Sequence, residues 1–131
     1  MTITKQNSYL TLTGLILLII GGFIAANPTA YLLQFSSKLS LPVSFFSELR
    51  AFGTGLLGVG LIAIVSLFIP KIRFIALAAS AIVFSSFFLG RVVSMLTDGM
   101  PNQGIIIAAG IELVFSIIGL YLLNVRVKLW N

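Results

Sequence analysis

Neither cysteine nor histidine occurs in the chain. Without cysteine there are no disulfides, thiolate nucleophiles, Cys-ligated zinc or iron–sulfur clusters. Without histidine there are no zincin sites, His-ligated haem or His-based catalytic triads. Charge is scarce as well. Eight Lys and Arg and three Asp and Glu make up 8% of the 131 residues, whereas soluble domains carry about 25%. Hydrophobic residues account for 59%, so too few charges remain to cover a surface in water. The length suits one domain, residues 1–131, and nothing marks a second. The net charge of +5 could point to nucleic acid. The basic residues are few and scattered, however, and they flank long apolar runs, as membrane proteins place them.

The four prolines, Pro28, Pro42, Pro70 and Pro101, fall between four long apolar segments at residues 9–26, 45–69, 72–96 and 104–125. At about 1.5 Å rise per residue, each can cross a hydrocarbon core of about 30 Å. The first is the shortest and stands nearly upright or recruits residues before it. No segment alternates with period two, which argues against a β-barrel. The expected fold is all-α, a transmembrane antiparallel four-helix bundle. The short Pro70-Lys71 connection predicts a hairpin, and Asp98-Gly99 before Pro101-Asn102 reads as a helix stop, turn and restart. The first segment is long for a signal-peptide core, and Ile24-Ala25-Ala26 makes a poor cleavage site, so it is expected to stay in place.

Basic residues set the orientation. Lys5, Lys71, Arg73, Arg126 and Lys128 fall on one side, against Lys38 in the loops of the other. Both termini are therefore expected in the cytoplasm of a bacterial inner membrane, with Trp130 and Lys128 as an interface anchor. In the first outer loop, residues 27–44, a helix would gather Tyr31, Leu32, Phe35 and Leu39 on one arc, away from Ser36, Ser37 and Ser40. That fits either a short amphipathic helix on the membrane surface or an apolar loop packed over the bundle.

The remaining charges, Glu48, Arg50, Arg91, Asp98 and Glu112, include every acid and lie toward the outer half. Arg91 and Glu112 sit at similar depth on neighbouring segments, Glu112 about 12 Å in. An isolated charge there costs roughly 2.5–3.5 kcal/mol, so an Arg91–Glu112 ion pair is expected. Arg91, Ser94 and Asp98 share a helix face, as do Ala108, Glu112, Ser116 and Gly119. Glu48 lies near the face of Ala51, Gly55 and Gly58. Arg50 points about 160° away from Glu48, so those two should not pair. The cluster reads either as a ligand or lipid site, its arginines gripping a headgroup, or as a salt-bridge network that fixes helix order. A proton or ion path is a third reading. A carboxylate metal site from Glu48, Asp98 and Glu112 is disfavoured by the guanidinium groups beside it.

Small residues at Gly14 and Gly21 in the first segment, and at Ala51, Gly55 and Gly58 in the second, are spaced for helix packing within the bundle or against a second copy. The run Gly53-Thr54-Gly55 follows no strand and is not a dinucleotide fingerprint. Phe84, Phe87 and Phe88 lie two turns or less from Arg91, as packing residues or as a ring stacked on the guanidinium.

The run Glu48-Leu49-Arg50-Ala51-Phe52, Gly90-Arg91 with Ser94, then Asp98-Gly99, Pro101 and Glu112 together resemble the domain-of-unknown-function family numbered 4345, which consists of small bacterial four-span membrane proteins. The resemblance covers nearly the whole chain. It implies the four-span fold and marks Glu48, Arg50, Arg91, Asp98, Gly99, Pro101 and Glu112, but it implies no reaction. Gly53-Thr54-Gly55 stands where the family often has an aromatic residue and two glycines. Small four-span proteins of the DoxX type are similar in size and helix count, with no shared motif.

These features lead to the expectation of a non-enzymatic accessory or interaction protein with an outward-facing charged pocket. The alternative is a lipid, quinone or small-solute binding or transport protein using Arg50, Arg91 and Glu112. The expected partners are membrane lipids and a homo-oligomer or larger membrane complex, with no nucleic acid. No cofactor is expected.

Overall fold

The computed structural model describes residues 2–35 and 42–128. Its helices are α1 (Thr2–Ala26), α2 (Pro28–Leu33), α3 (Val43–Phe68), α4 (Arg73–Thr97) and α5 (Gln103–Lys128). A single 3-10 turn, Pro70–Ile72, joins α3 to α4. No strand occurs among the described residues. The four long helices are long and apolar enough to cross a membrane. Segment one does recruit residues before Tyr9, since α1 begins at Thr2.

The residue distribution is inverted relative to a soluble protein. Leu12, Ile19, Leu61, Ile82, Val93 and Ile117 are exposed on the periphery, while Gln6, Thr13, Ser66, Ser80, Glu112 and Ser116 are buried. In hydrocarbon the polar groups must turn inward to find partners. Thr13 donates to the Tyr9 carbonyl at 2.9 Å and Ser66 to that of Ala63 at 2.6 Å. Ser85 and Ser116 bond across α4 and α5 at 2.6 Å. The chain is a multi-pass helical membrane protein.

Local chemistry sets the turns. Asn27 caps α2 by accepting from the Ala30 N–H at 3.0 Å, and Pro28 occupies the first turn, where no N–H is needed. Asn102 repeats the device at α5, accepting from the Ile105 N–H at 3.1 Å. Between Asp98 and Pro101, Gly99 takes φ +99°, a left-handed conformation that favours glycine.

Two hairpin-like pairs make up the bundle. α1 and α3 share the most extensive contact, followed by α4 and α5, while the backbones of α3 and α5 stay apart among the described residues. The expected small-residue seam exists, but its register differs on α3. Gly14 and Gly21 do pack against α3, as a Cβ at Gly21 would come within 2.7 Å of the Gly53 carbonyl oxygen. On α3 the seam runs through Gly53 and Gly60, seven residues apart. Gly55 and Gly58 have nothing within 4 Å, and Ala51 is exposed with them. The reason is angular: at about 100° per residue, positions 51, 55 and 58 form a stripe distinct from that of 53 and 60.

All four long helices bury side chains together at the end where α1 begins and α5 finishes. One core cluster there contains Tyr9, Leu10, Ala63, Ala76, Leu77 and Leu122, from all four long helices. Tyr9 donates to the Phe115 carbonyl at 3.1 Å and lies against Gly119. Toward the other end, the core cluster of Leu17, Ile24, Leu56 and Phe84 takes no buried residue from α5. α5 stays on α4 there, and a cleft separates it from α1.

Candidate functional site

The cleft encloses about 1050 Å³. Its walls are apolar: Leu17, Ile20, Phe23 and Ile24 of α1, Leu56 of α3, Phe84 and Phe87 of α4, and Ile105, Ala108 and Ile111 of α5. Ile19, Phe23 and Ile111 are exposed as well as lining it. The cleft therefore opens sideways between α1 and α5, toward the surroundings of the helices. Its polar groups are few: Tyr31 and Gln34 above, Ser86, Arg91 and Ser94 on α4, and Glu112 on α5.

Arg91 and Glu112 form a side-on pair. Nε donates to one carboxylate oxygen at 2.6 Å and Nη2 to the other at 2.8 Å. It is the one ion pair found among the described residues. The side chains are 26% and 9% exposed, so Glu112 is enclosed while Arg91 keeps an open edge. Sequence places both residues on adjoining faces at matching depth, and the α4–α5 packing closes the distance. This geometry engages both carboxylate oxygens and leaves the Nη1 donors of Arg91 without a partner among the described residues.

The other expected cluster members lie elsewhere. Arg50 donates to the carbonyls of Ala25 and, at 3.3 Å, Ala26. It therefore caps the last turn of α1 and does not line the cleft. A cation fits there because a helix end leaves carbonyls unpaired and carries negative partial charge. Ser94 lines the cleft but donates to Asp98, one turn on, at 2.9 Å. Asp98 is exposed at the end of α4. Glu48 is exposed beside Ala51 on α3 and has no ion pair among the described residues. The five charged residues are thus dispersed: Arg91 and Glu112 pair in the cleft, Arg50 caps α1, Asp98 meets Ser94 at the α4 terminus, and Glu48 is exposed on α3.

The loop helix is shorter than the expected arc. Tyr31 and Leu32 are half-buried, and Phe35 falls just past α2 and is exposed. Ser36, Ser37, Lys38, Leu39 and Ser40 lie outside the described residues, as do Trp130 and the side chain of Lys128. α2 packs on the bundle, with Pro28 buried. Its Tyr31 ring meets Phe23 and Phe35 edge-on, at 6.3 and 5.2 Å between centroids. Burial pushes the Tyr31 phenol above its ordinary value of 10.0, with Arg91 pulling the other way and Glu112 adding to the rise. The hydroxyl therefore stays neutral at pH 7, within the field of the ion pair.

Sequence reasoning missed Tyr31 as a polar group of the site, because its aromatic neighbours gave it only an apolar role. Phe84 and Phe87 turn out to be cleft walls, with Phe84 stacked on Phe115 at 5.1 Å and Phe87 tilted against Phe52 at 5.6 Å. No group of three or more acidic residues able to hold a metal ion occurs among the described residues.

No curated protein and no solved structure matches the chain. A family model described as Domain of unknown function (DUF4345) matches residues 6–123, and the four-span chain with its Arg91–Glu112 pair belongs to that family.

Proposed function

We propose that this protein binds a membrane-soluble amphiphile, with the polar head against Arg91–Glu112 and the apolar part in the cleft between α1 and α5. The observation carrying this reading is the placement of the ion pair. It forms a wall of a 1050 Å³ apolar space, whereas a purely structural pair could sit in a sealed helix seam. That volume is at the upper end of the roughly 300–1,000 Å³ usual for small-molecule sites. It accommodates a head and a stretch of chain. The apolar walls favour a lipid or quinone over a water-soluble solute.

The pair is neutral overall, so a head bearing carbonyl or hydroxyl oxygens fits better than a second carboxylate. Free Nη1 donors and the Tyr31 hydroxyl would meet such oxygens. The apolar walls and the neutral pair fit carriage or presentation of the amphiphile. Lys5, Lys71, Arg73 and Arg126 on the opposite end support cytoplasmic termini and a cleft facing the outer leaflet of a bacterial plasma membrane.

The test is native mass spectrometry of protein extracted from its own membranes. Wild type should carry a bound amphiphile that is lost in Ala108→Phe, which fills the cleft and leaves the ion pair in place. Equal retention of that species by Ala108→Phe would overturn the proposal. A second reading, an accessory subunit, draws on the exposed stripe of Ala51, Gly55 and Gly58. Self-association that Gly55→Leu abolishes, with amphiphile content unchanged, would favour it.

A further inference from the structure

At the end opposite the cleft mouth, one arginine is buried and a second half-buried, neither with an acid partner among the described residues. Arg73, the first residue of α4, is only 6% exposed. Its Nε is buried with no hydrogen-bond partner, and it enters no ion pair among the described residues. Arg126, in the last turn of α5, is half-buried and its Nε is likewise unpartnered. Among the described residues it makes one hydrogen bond, from Nη1 to Gln6 Oε1 at 3.1 Å, and Gln6 is 2% exposed. α4 and α5 pack against each other as an antiparallel pair, which brings the start of α4 with Arg73 and the last turn of α5 with Arg126 to the same end of the bundle.

An arginine cannot shed its proton to escape this situation. A buried charge needs a counter-charge and hydrogen bonds, and two like charges together need them more. None of the three acids is available: Glu112 is committed to Arg91, while Glu48 and Asp98 belong to the opposite end of their helices. Asn7 Oδ1 is also buried and unpartnered. That amide oxygen can accept a hydrogen bond but cannot offset two charges. Arg73 also stands at a helix start, where the macrodipole favours an anion and disfavours a cation.

We propose that Arg73 and Arg126 form an anion site that takes a phosphate group, with Gln6 holding Arg126 in position. Guanidinium forks match phosphate oxygens in planar, bidentate fashion. The residues lie at helix ends, at the level where a phospholipid presents its phosphate. A phosphodiester headgroup and free inorganic phosphate share this chemistry, and the site is independent of the cleft and its ligand.

Because two uncompensated cations call for net negative charge, the experiment compares thermal unfolding of the full chain in nanodiscs of phosphatidylcholine alone, whose phosphate is already offset by its own ammonium, with discs containing the anionic phosphatidylglycerol. A parallel arm adds inorganic phosphate to protein in detergent, against chloride at matched ionic strength. The expected result is a higher Tm with phosphatidylglycerol, reduced to the phosphatidylcholine level in Arg73→Gln and Arg126→Gln. Lys71→Gln, an exposed neighbour, should keep the full shift. A shift with inorganic phosphate as well assigns a free anion, and a shift in the lipid arm alone assigns the headgroup. Arg73→Lys keeps the charge but loses the fork, so it should retain part of the shift and covers the case in which Arg73→Gln does not fold. Absence of a shift in both wild-type arms overturns the proposal. So does a loss in Lys71→Gln as large as in Arg73→Gln, which would indicate diffuse surface charge.

Discussion

Gly21 and Gly53 bring the backbones of α1 and α3 into contact. A Cβ at Gly21 would stand 2.7 Å from the Gly53 carbonyl oxygen, and one at Gly53 would stand 2.8 Å from that of Gly21. Neither obstacle is a side chain that could swing aside, so the helices themselves would have to part. Gly21→Ala and Gly53→Ala should each cost about 1–3 kcal/mol, as overpacking does. Gly55→Ala and Gly58→Ala meet open space and should be neutral or stabilising by up to about 1 kcal/mol, since alanine suits a helix better. Unfolding of the four variants in one detergent decides the register. Equal cost at Gly53 and Gly55 would contradict it.

The Arg91–Glu112 pair should show strong non-additivity. Removing either partner alone strands the other charge, at a cost of about 3–5 kcal/mol in enclosed sites. Arg91, with 26% of its side chain exposed, can turn its head toward the cleft mouth, which places the loss of Glu112 at the lower end of that range. Replacing both by leucine removes the charges together and should recover much of the stability. A double variant as unstable as the sum of the singles would mean that the pair does not act as a unit. Retained stability with lost amphiphile in the double variant would separate the binding role from the structural one.

The four spans were legible because length, apolar content and the spacing of proline dominate a membrane chain, and those are one-dimensional properties. The Arg91–Glu112 pair was legible because a short connection fixes relative depth on consecutive helices. Arg50 was not, because its partners are the Ala25 and Ala26 carbonyls, and backbone acceptors leave no mark in a side-chain pattern. Which α3 stripe faces α1 was not legible for a related reason. Small residues at 51, 55 and 58 and at 53 and 60 are equally well spaced, and only the position of α1 chooses between them. The cleft depends on where α5 leaves α1, which follows from tertiary packing around Tyr9 and Gly119.

Tyr31 gives the site a pH signature. Burial raises its phenol above 10.0, so the folded state holds that proton more tightly than the unfolded state. The contribution is fully present below about pH 10 and is lost as pH rises through the folded-state value. Between pH 6 and 9 wild type and Tyr31→Phe should therefore show the same pH dependence. Above about pH 10 wild type should lose stability faster, because only it has the Tyr31 phenol to ionise. Parallel unfolding profiles across both ranges would show that Tyr31 is not enclosed.

Arg50 separates capping from ligand binding. Its guanidinium serves carbonyls at the end of α1 and lies outside the cleft lining. A hydrogen bond from a charged donor contributes about 1.5–3 kcal/mol when well enclosed. Arg50 is exposed, so water would replace part of what it supplies. Arg50→Gln should lower stability by about 1 kcal/mol, within the range for charges at helix ends. It should leave bound amphiphile per folded chain unchanged, whereas Arg91→Gln should reduce it. Arg50→Lys keeps a donor for one carbonyl and should fall between wild type and Arg50→Gln in stability. Native mass spectrometry and unfolding on the same preparations read both quantities. A loss of amphiphile in Arg50→Gln equal to that in Arg91→Gln would return Arg50 to the binding site and make the α1 cap part of the ligand's enclosure.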